Sequence, residues 1–130
     1  MKISNVVALA YIQTLQEFLD RTDILGYAAA RNIRKLTDAT IEYNKCRNEL
    51  IVKYGVPLKD ENGNLTGQYE IRFDSPNFKE FSEQIENFDT IEHDIEIMTI
   101  PYSDVFEKLT GSQILSIDWM LKDSDKPIDD

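Results

Sequence analysis

The sequence predicts an α+β fold that is mostly helical, and three features of the chain support this prediction. Apolar residues recur at alternating spacings of three and four from Ile24 to Tyr54, which is the period of a helix with one apolar seam. A second helical stripe precedes that stretch, over residues 5–20. From Ile91 the apolar period changes to two, as in a half-buried strand. We expect a single domain, 1–130, because this length suits one hydrophobic core.

Residues 1–55 are expected to form an antiparallel helical hairpin. The connection at residues 21–23 is short, which favours folding the first helix back on the second. We expect the second helix, 24–54, to be continuous and therefore about 46 Å long. Its apolar seam is interrupted by Asn32. Gly55 is predicted to end this helix in a left-handed capping conformation.

Residues 56–122 are expected to form a small α+β part. Two short strands, 69–73 and 91–100, are predicted to pair with each other in a two-stranded sheet. Smaller helices are expected to begin near Pro76 and to span residues 103–109 and 113–122. The remaining segment, 123–130, is polar and is predicted to be a flexible acidic tail.

The charge of the chain is unevenly distributed. Asp and Glu outnumber Lys and Arg by 24 to 14, which gives a net charge of −10. Residues 1–73 carry a net charge of +1, and residues 74–130 carry −11. An acidic surface repels nucleic acids and membranes, so we expect neither to bind directly, and the favoured partner is a protein with a basic surface. No apolar stretch approaches membrane-spanning length, and a cytoplasmic location is expected.

Few residues suggest catalysis. His93 is the chain's one histidine, and its place in the alternating pattern favours a core or edge position over a catalytic role. Cys46 lies on the helical seam and is expected to be a buried, inert thiol. No phosphate-binding loop, paired-cysteine pattern or nucleotide fingerprint is present in the sequence. We therefore predict a protein that is not an enzyme and has no cofactor and no metal site.

A series of carboxylates is the strongest candidate for a binding site. Its members step by three along the predicted third helix and then by two along the following strand. The candidate partner-binding residues are Glu80, Glu83, Glu86, Asp89, Glu92, Asp94 and Glu96. Steps of about 4.5 Å on a helix and about 6.7 Å on a strand could imitate a run of phosphates. A solvated face without a partner remains the alternative.

The order of elements resembles a family of small uncharacterised proteins of phages and prophages of Gram-positive bacteria. The resemblance spans about residues 3–122 and rests on ordinary residues in a common pattern. It is carried by the Glu49-Leu50-Ile51-Val52-Lys53-Tyr54-Gly55 helix end, the Asp60-Glu61-Asn62-Gly63-Asn64 turn, Asp94-Ile95-Glu96-Ile97, and Leu109-Thr110-Gly111-Ser112-Gln113-Ile114-Leu115 with Met120-Leu121. The turn between Pro57 and Tyr69 is longer than the resemblance implies. The family supplies no catalytic residues.

A phage origin implies a cytoplasmic location in a bacterial host cell and a host or phage protein as the partner. It also implies two candidate functions. The first is inhibition of a host defence complex, as by an anti-CRISPR protein that binds a nucleic-acid-guided nuclease through an acidic surface. The alternative is a morphogenesis or tail-associated structural protein that forms a homo-oligomer through the seam of residues 24–54. A regulator that binds DNA through the basic flank of the long helix is disfavoured by the net charge.

Overall fold

A computed structural model describes residues 1–122, so the predicted tail at 123–130 lies outside the described residues. The mostly helical α+β fold class is confirmed. The α-helices are α1 (Asn5–Leu15), α2 (Ile24–Ala39), α3 (Ile41–Tyr54), α4 (Phe78–Asp89) and α5 (Gly111–Ser116). The strands are β1 (Lys2–Ser4), β2 (Val56–Lys59), β3 (Leu65–Glu70), β4 (Glu92–Asp94), β5 (Ile100–Pro101) and β6 (Leu121–Lys122).

The prediction of one continuous helix over 24–54 is wrong, because the helix is interrupted at Thr40. Thr40 is fully buried, and its hydroxyl donates a hydrogen bond of 2.9 Å to the carbonyl of Leu36, one turn earlier. Its backbone, at φ −106° and ψ 10°, leaves the helical conformation. A threonine that bonds to the preceding turn competes with the regular helix ladder. The apolar pattern continues through the break, so periodicity alone did not reveal it.

The core lies mainly between α1, α2 and the C-terminal segment. The helices α1 and α2 pack against each other as the predicted hairpin. The largest buried apolar side chains are Ile3, Leu15, Phe18, Leu25, Leu36, Ile100, Val105, Ile117 and Met120. By contrast, α3 buries only Tyr43, and α4 has no fully buried residue among its 12. These two helices therefore form a peripheral layer on the core.

Asn32 explains the polar interruption of the apolar seam. The side chain is fully buried on α2. Its Nδ2 donates to the carbonyl of Met98 at 3.0 Å, and its Oδ1 accepts from the backbone N–H of Met98 at 2.8 Å. One side chain thus satisfies both backbone groups of Met98, as a neighbouring strand would. It attaches the extended segment 95–100 to α2.

The predicted pairing of 69–73 with 91–100 is also wrong. In the structure β3 pairs antiparallel with β2 across the Asn-Gly turn, so the hairpin closes locally. The second segment contributes β4, which pairs antiparallel with β1, with Ile3 opposite His93. It also contributes β5, which runs parallel to β6. β1 has only three residues, too few to show a recognisable strand pattern.

Three smaller expectations also change. The predicted helices at 103–109 and 113–122 are shorter: the first is a 3-10 helix, Tyr102–Asp104, and the second is α5, followed by a 3-10 helix, Asp118–Met120. Gly55 does not take a left-handed conformation, since its φ is −85°. It is required there by close packing, because a Cβ atom would lie 2.3 Å from the carbonyl oxygen of Ile51.

Candidate functional site: the carboxylates of α4 and β4

The carboxylates of α4 do not all face the same way. Residues three apart on a helix are rotated by about 60° relative to each other, so four such residues sweep about 180° around it. The apolar side of α4 is half-buried and is formed by Phe78, Phe81, Ile85 and Phe88. Glu83 therefore points away from the apolar side, and Glu80 and Glu86 lie to either side of Glu83 around the helix. All three glutamates are exposed.

Asp89 differs from the three glutamates. It is half-buried at the border of the apolar side, and its Oδ1 accepts a hydrogen bond of 2.5 Å from the hydroxyl of Tyr43 on α3. Burial, together with this hydrogen bond, raises the pKa of Tyr43 to about 12. The carboxylate of Asp89 thus holds α4 against α3. It lies at the edge of the exposed carboxylates of α4 rather than among them.

The other three predicted site residues lie on or after β4. Glu92 and Asp94 are exposed on the strand face opposite His93, as the period of two requires. Asp94 accepts from the amino group of Met1 at 3.2 Å, but its side chain is 81% exposed, so this ion pair is worth little. Glu96 is exposed, and its backbone carbonyl accepts from Lys35 Nζ at 2.6 Å.

Asn5 connects the end of α4 to β4. It is 2% exposed, and its backbone N–H donates to the carbonyl of Ile91 at 3.0 Å. Its Nδ2 donates to the carbonyl of Phe88 at 2.8 Å, and its Oδ1 lies 2.8 Å from His93 Nε2. Because Oδ1 can only accept, His93 Nε2 must carry the proton in this contact. Asn5 therefore fixes the helix carboxylates relative to those of the strand.

Asn5 and Asn32 were both missed as key residues by sequence reasoning. Asn5 lies at the start of an apolar pattern, and Asn32 lies within one. Each is buried and forms hydrogen bonds with backbone groups of a distant segment. A polar residue at a core position of an amphipathic helix is the signal that could have identified Asn32, since buried polar groups are nearly always paired. Asn5 had no comparable signal, because it also suits a helix cap.

A cavity of about 330 Å³ lies between α3, the end of α4 and β4. It is lined by Asn5, Ala39, Glu42, Tyr43, Cys46, Phe88, Ile91 and His93. Cys46 is half-buried here, whereas the sequence predicted full burial. No hydrogen bond joins its thiol to His93, and His93 Nε2 is already bound to Asn5. The cavity therefore shows no nucleophile held by a base, which a thiol-dependent reaction requires.

The structure also gives information on metals and membranes. Within residues 1–122, no group of three His, Cys, Asp or Glu side chains is placed to hold a metal ion. None of the helices described there combines the length and the apolar character needed to cross a membrane.

Comparisons with protein-family models, with curated proteins and with solved structures found no match to the chain.

Proposed function

We propose that the chain is a non-enzymatic, phage-encoded binding protein that inhibits a host defence complex. In this proposal it acts as an anti-CRISPR protein would, by occupying the basic channel of a nucleic-acid-guided nuclease. The contact is made by the acidic surface, defined here as the exposed side chains of Glu80, Glu83, Glu86, Glu92, Asp94 and Glu96. The phage setting rests on the sequence resemblance alone, and the mechanism rests on charge.

One observation above all supports this proposal. Glu80, Glu83 and Glu86 are exposed on α4. Their side-chain carboxylates form no ion pair or hydrogen bond with any residue of 1–122. Their carboxylates are spaced at about 4.5 Å along the helix axis. A channel lined with Lys and Arg gains about 1 to 4 kcal/mol of attraction per contact at 4 Å, depending on how far water is excluded.

The acidic surface is also held in shape before binding. Asn5 connects α4 to β4, and Tyr43 holds the border residue Asp89 against α3. A surface that is already ordered loses less conformational freedom on binding, which favours affinity. In this proposal Asp89 is thus a positioning residue, and the exposed glutamates make the contact with the partner.

The alternative, a morphogenesis or tail-associated protein that self-associates, requires a different surface from the predicted seam. Leu25 and Leu36 of that seam are 1% and 0% exposed, so the domain core already covers them. A charge at Leu36 would unfold the chain and would not report on an oligomer. Exposed apolar side chains that such an interface could use include Val52 on α3 at 58%, Leu65 on β3 at 68% and Leu115 on α5 at 78%.

The experiment that tests inhibition is a plasmid-interference assay in host cells that carry a nucleic-acid-guided nuclease. Wild-type protein is expected to protect the plasmid, and the E80K/E83K/E86K variant is expected to lose that protection. The matched control is E17K/E49K/E61K, which changes the net charge equally at exposed positions outside the acidic surface. Equal protection by wild type and the acidic-surface variant would exclude the proposed mechanism.

Purified components separate the two candidate functions. Inhibition of target cleavage by the guide-loaded nuclease is expected to weaken as NaCl is raised, because salt screens exposed charges. Inhibition that is independent of salt would argue against the acidic surface. Recovery of tail or capsid proteins on the tagged protein from infected cells, at both low and high salt, would instead support the assembly function.

A further inference from the structure

The cavity between α3, the end of α4 and β4 has the size and the walls of a small-molecule site. Its volume of about 330 Å³ lies at the lower end of the range of ligand pockets, roughly 300–1,000 Å³. Its walls are largely apolar and include Ala39, Ile91 and the rings of Tyr43 and Phe88. Ile91 and the lining residue Glu42 are exposed, so a ligand can enter from solvent.

Hydrogen bonds fix the walls of this cavity. Asn5 Nδ2 donates to the carbonyl of Phe88, and Asn5 Oδ1 accepts from His93 Nε2, so the end of α4 is joined to β4. The hydroxyl of Tyr43 donates to Asp89, which joins α3 to α4. The cavity is therefore formed before a ligand binds, and binding costs little ordering of the protein.

The polar groups that remain available in the cavity are mainly hydrogen-bond acceptors. The carboxylate of Glu42 forms no ion pair or hydrogen bond with any residue of 1–122. His93 donates through Nε2, so Nδ1 of its neutral ring is an acceptor, and it has no partner in the same part of the chain. The thiol of Cys46 is only a weak donor or acceptor. Since no Lys or Arg is among the described residues that line the cavity, it suits a cationic donor better than an anion.

The aromatic rings of the cavity suit the same class of ligand. Tyr43 and Phe88 offer apolar contact to the body of a ligand, and aromatic faces also attract a nearby cation. Exposed carboxylates without a partner are common in this chain, but Glu42 lines the same cavity as these two rings. It can therefore pair with the charge of a molecule that the rings hold.

We propose that this cavity binds a small organic cation, namely a protonated amine attached to an apolar or aromatic body. The body packs against the apolar walls, and the ammonium group pairs with the carboxylate of Glu42, with His93 Nδ1 as a further acceptor. None of the lining residues belongs to the acidic surface. The site is thus separate from that surface and does not depend on any inhibitory activity.

The test compares three probes that share a phenyl ring and a two-carbon chain. They are 2-phenylethylamine, which is cationic, 2-phenylethanol, which is neutral, and 3-phenylpropionate, which is anionic. Each is titrated at pH 7 into the isotope-labelled full-length chain, and backbone amide chemical shifts are measured by NMR. We expect 2-phenylethylamine to shift the signals of residues 39–46 and 88–93, with a Kd on the order of 1 mM. Binding of 2-phenylethanol is expected to be roughly three- to fivefold weaker, because it lacks the charge, and 3-phenylpropionate is expected to be weaker still.

Two variants test the assigned contacts. E42Q removes the charge at an exposed position and is expected to weaken binding of 2-phenylethylamine roughly three- to fivefold. Its matched control is E61Q, in the turn between β2 and β3, which removes one charge outside the cavity and is expected to bind like wild type. A39L enlarges a side chain of the cavity wall and is expected to abolish binding of all three probes.

The outcomes that would overturn the proposal are distinct for charge and for place. Binding of 3-phenylpropionate as tight as that of 2-phenylethylamine, or an unchanged Kd in E42Q, would show that the cavity does not select a cation. Shifts confined to other residues, or no shift with 2-phenylethylamine, would show that the cavity is not its site. E42Q decides the matter even if A39L does not fold, since Glu42 is exposed and makes no contact that folding requires.

Discussion

Replacing Asn32 with alanine is expected to destabilise the protein more than any exposed asparagine replacement. Asn32 is fully buried, and its amide bonds both the N–H and the carbonyl of Met98. The N32A variant leaves both backbone groups of Met98 without their partner. Segment 95–100 would then be attached to α2 by its apolar contacts and by the exposed hydrogen bond from Lys35 Nζ to the carbonyl of Glu96.

The magnitude follows from the two orphaned groups. A buried donor or acceptor left unpaired costs about 1–3 kcal/mol, so N32A, which leaves two of them, is expected to lose roughly 2–6 kcal/mol. That is a large part of a total stability of about 5–15 kcal/mol. For a chain of this size each kcal/mol lowers the melting temperature by about 3–5 °C, so we expect a decrease on the order of 10–15 °C.

Urea unfolding followed by circular dichroism measures this loss. The matched control is N48A, at an exposed position of α3, which is expected to change the free energy of unfolding by less than about 0.5 kcal/mol. An N32A variant as stable as N48A would refute the role assigned to Asn32.

The N32D variant tests the same contact through the pH dependence of its stability. Its ionised carboxylate faces the Met98 carbonyl, so its folded-state pKa is raised and its stability relative to wild type falls as pH rises above about 4.

Three further predictions concern single contacts. Y43F removes the hydrogen bond to Asp89 and is expected to cost about 1–2 kcal/mol in urea unfolding at pH 7. Because the pKa of Tyr43 is raised to about 12 in the folded state, wild-type stability should fall between pH 10 and 12. Y43F should lose less in that range, and parallel curves would contradict this assignment. N5A leaves the Phe88 carbonyl and His93 without their partner, so thermal unfolding should show a loss of roughly 2–4 kcal/mol; a loss below 1 would refute it. G26A places a Cβ atom 2.1 Å from the carbonyl oxygen of Arg21 and should destabilise strongly, whereas G111A has open space and should be neutral or slightly stabilising; equal melting temperatures would contradict the packing argument.

The helical part of the fold could be predicted because it is written in local apolar periodicity. The pairing of α1 with α2 follows from two amphipathic stripes and a short connection, and α4 follows from its four apolar residues. The break at Thr40 could not be predicted in the same way. It depends on a side chain bonding to the preceding turn while the apolar pattern continues on both sides.

Strand pairing depended on contacts that periodicity does not report. The strand β4 pairs with β1, almost ninety residues earlier in the chain, and β1 has too few residues to show a pattern. The exposure of Glu80, Glu83 and Glu86 follows from the helix and its apolar side alone, whereas their role in binding stays a prediction. Asp89 was the exception, since its contact with Tyr43 depends on how α3 and α4 pack.

The exposed glutamates of α4 and the exposed arginines of α2 lie on different elements, so their effects on binding can be tested separately. Glu80, Glu83 and Glu86 are on α4 in the peripheral layer, whereas Arg31 and Arg34 are on α2, whose other face lies in the core. Salt weakens a contact made by either set of charges, so a salt effect alone cannot assign inhibition to the acidic surface. Charge reversal can, because E80K/E83K/E86K should abolish inhibition, whereas R31E/R34E should leave it unchanged. Loss of inhibition in R31E/R34E would show that the two sets of charges act as one site.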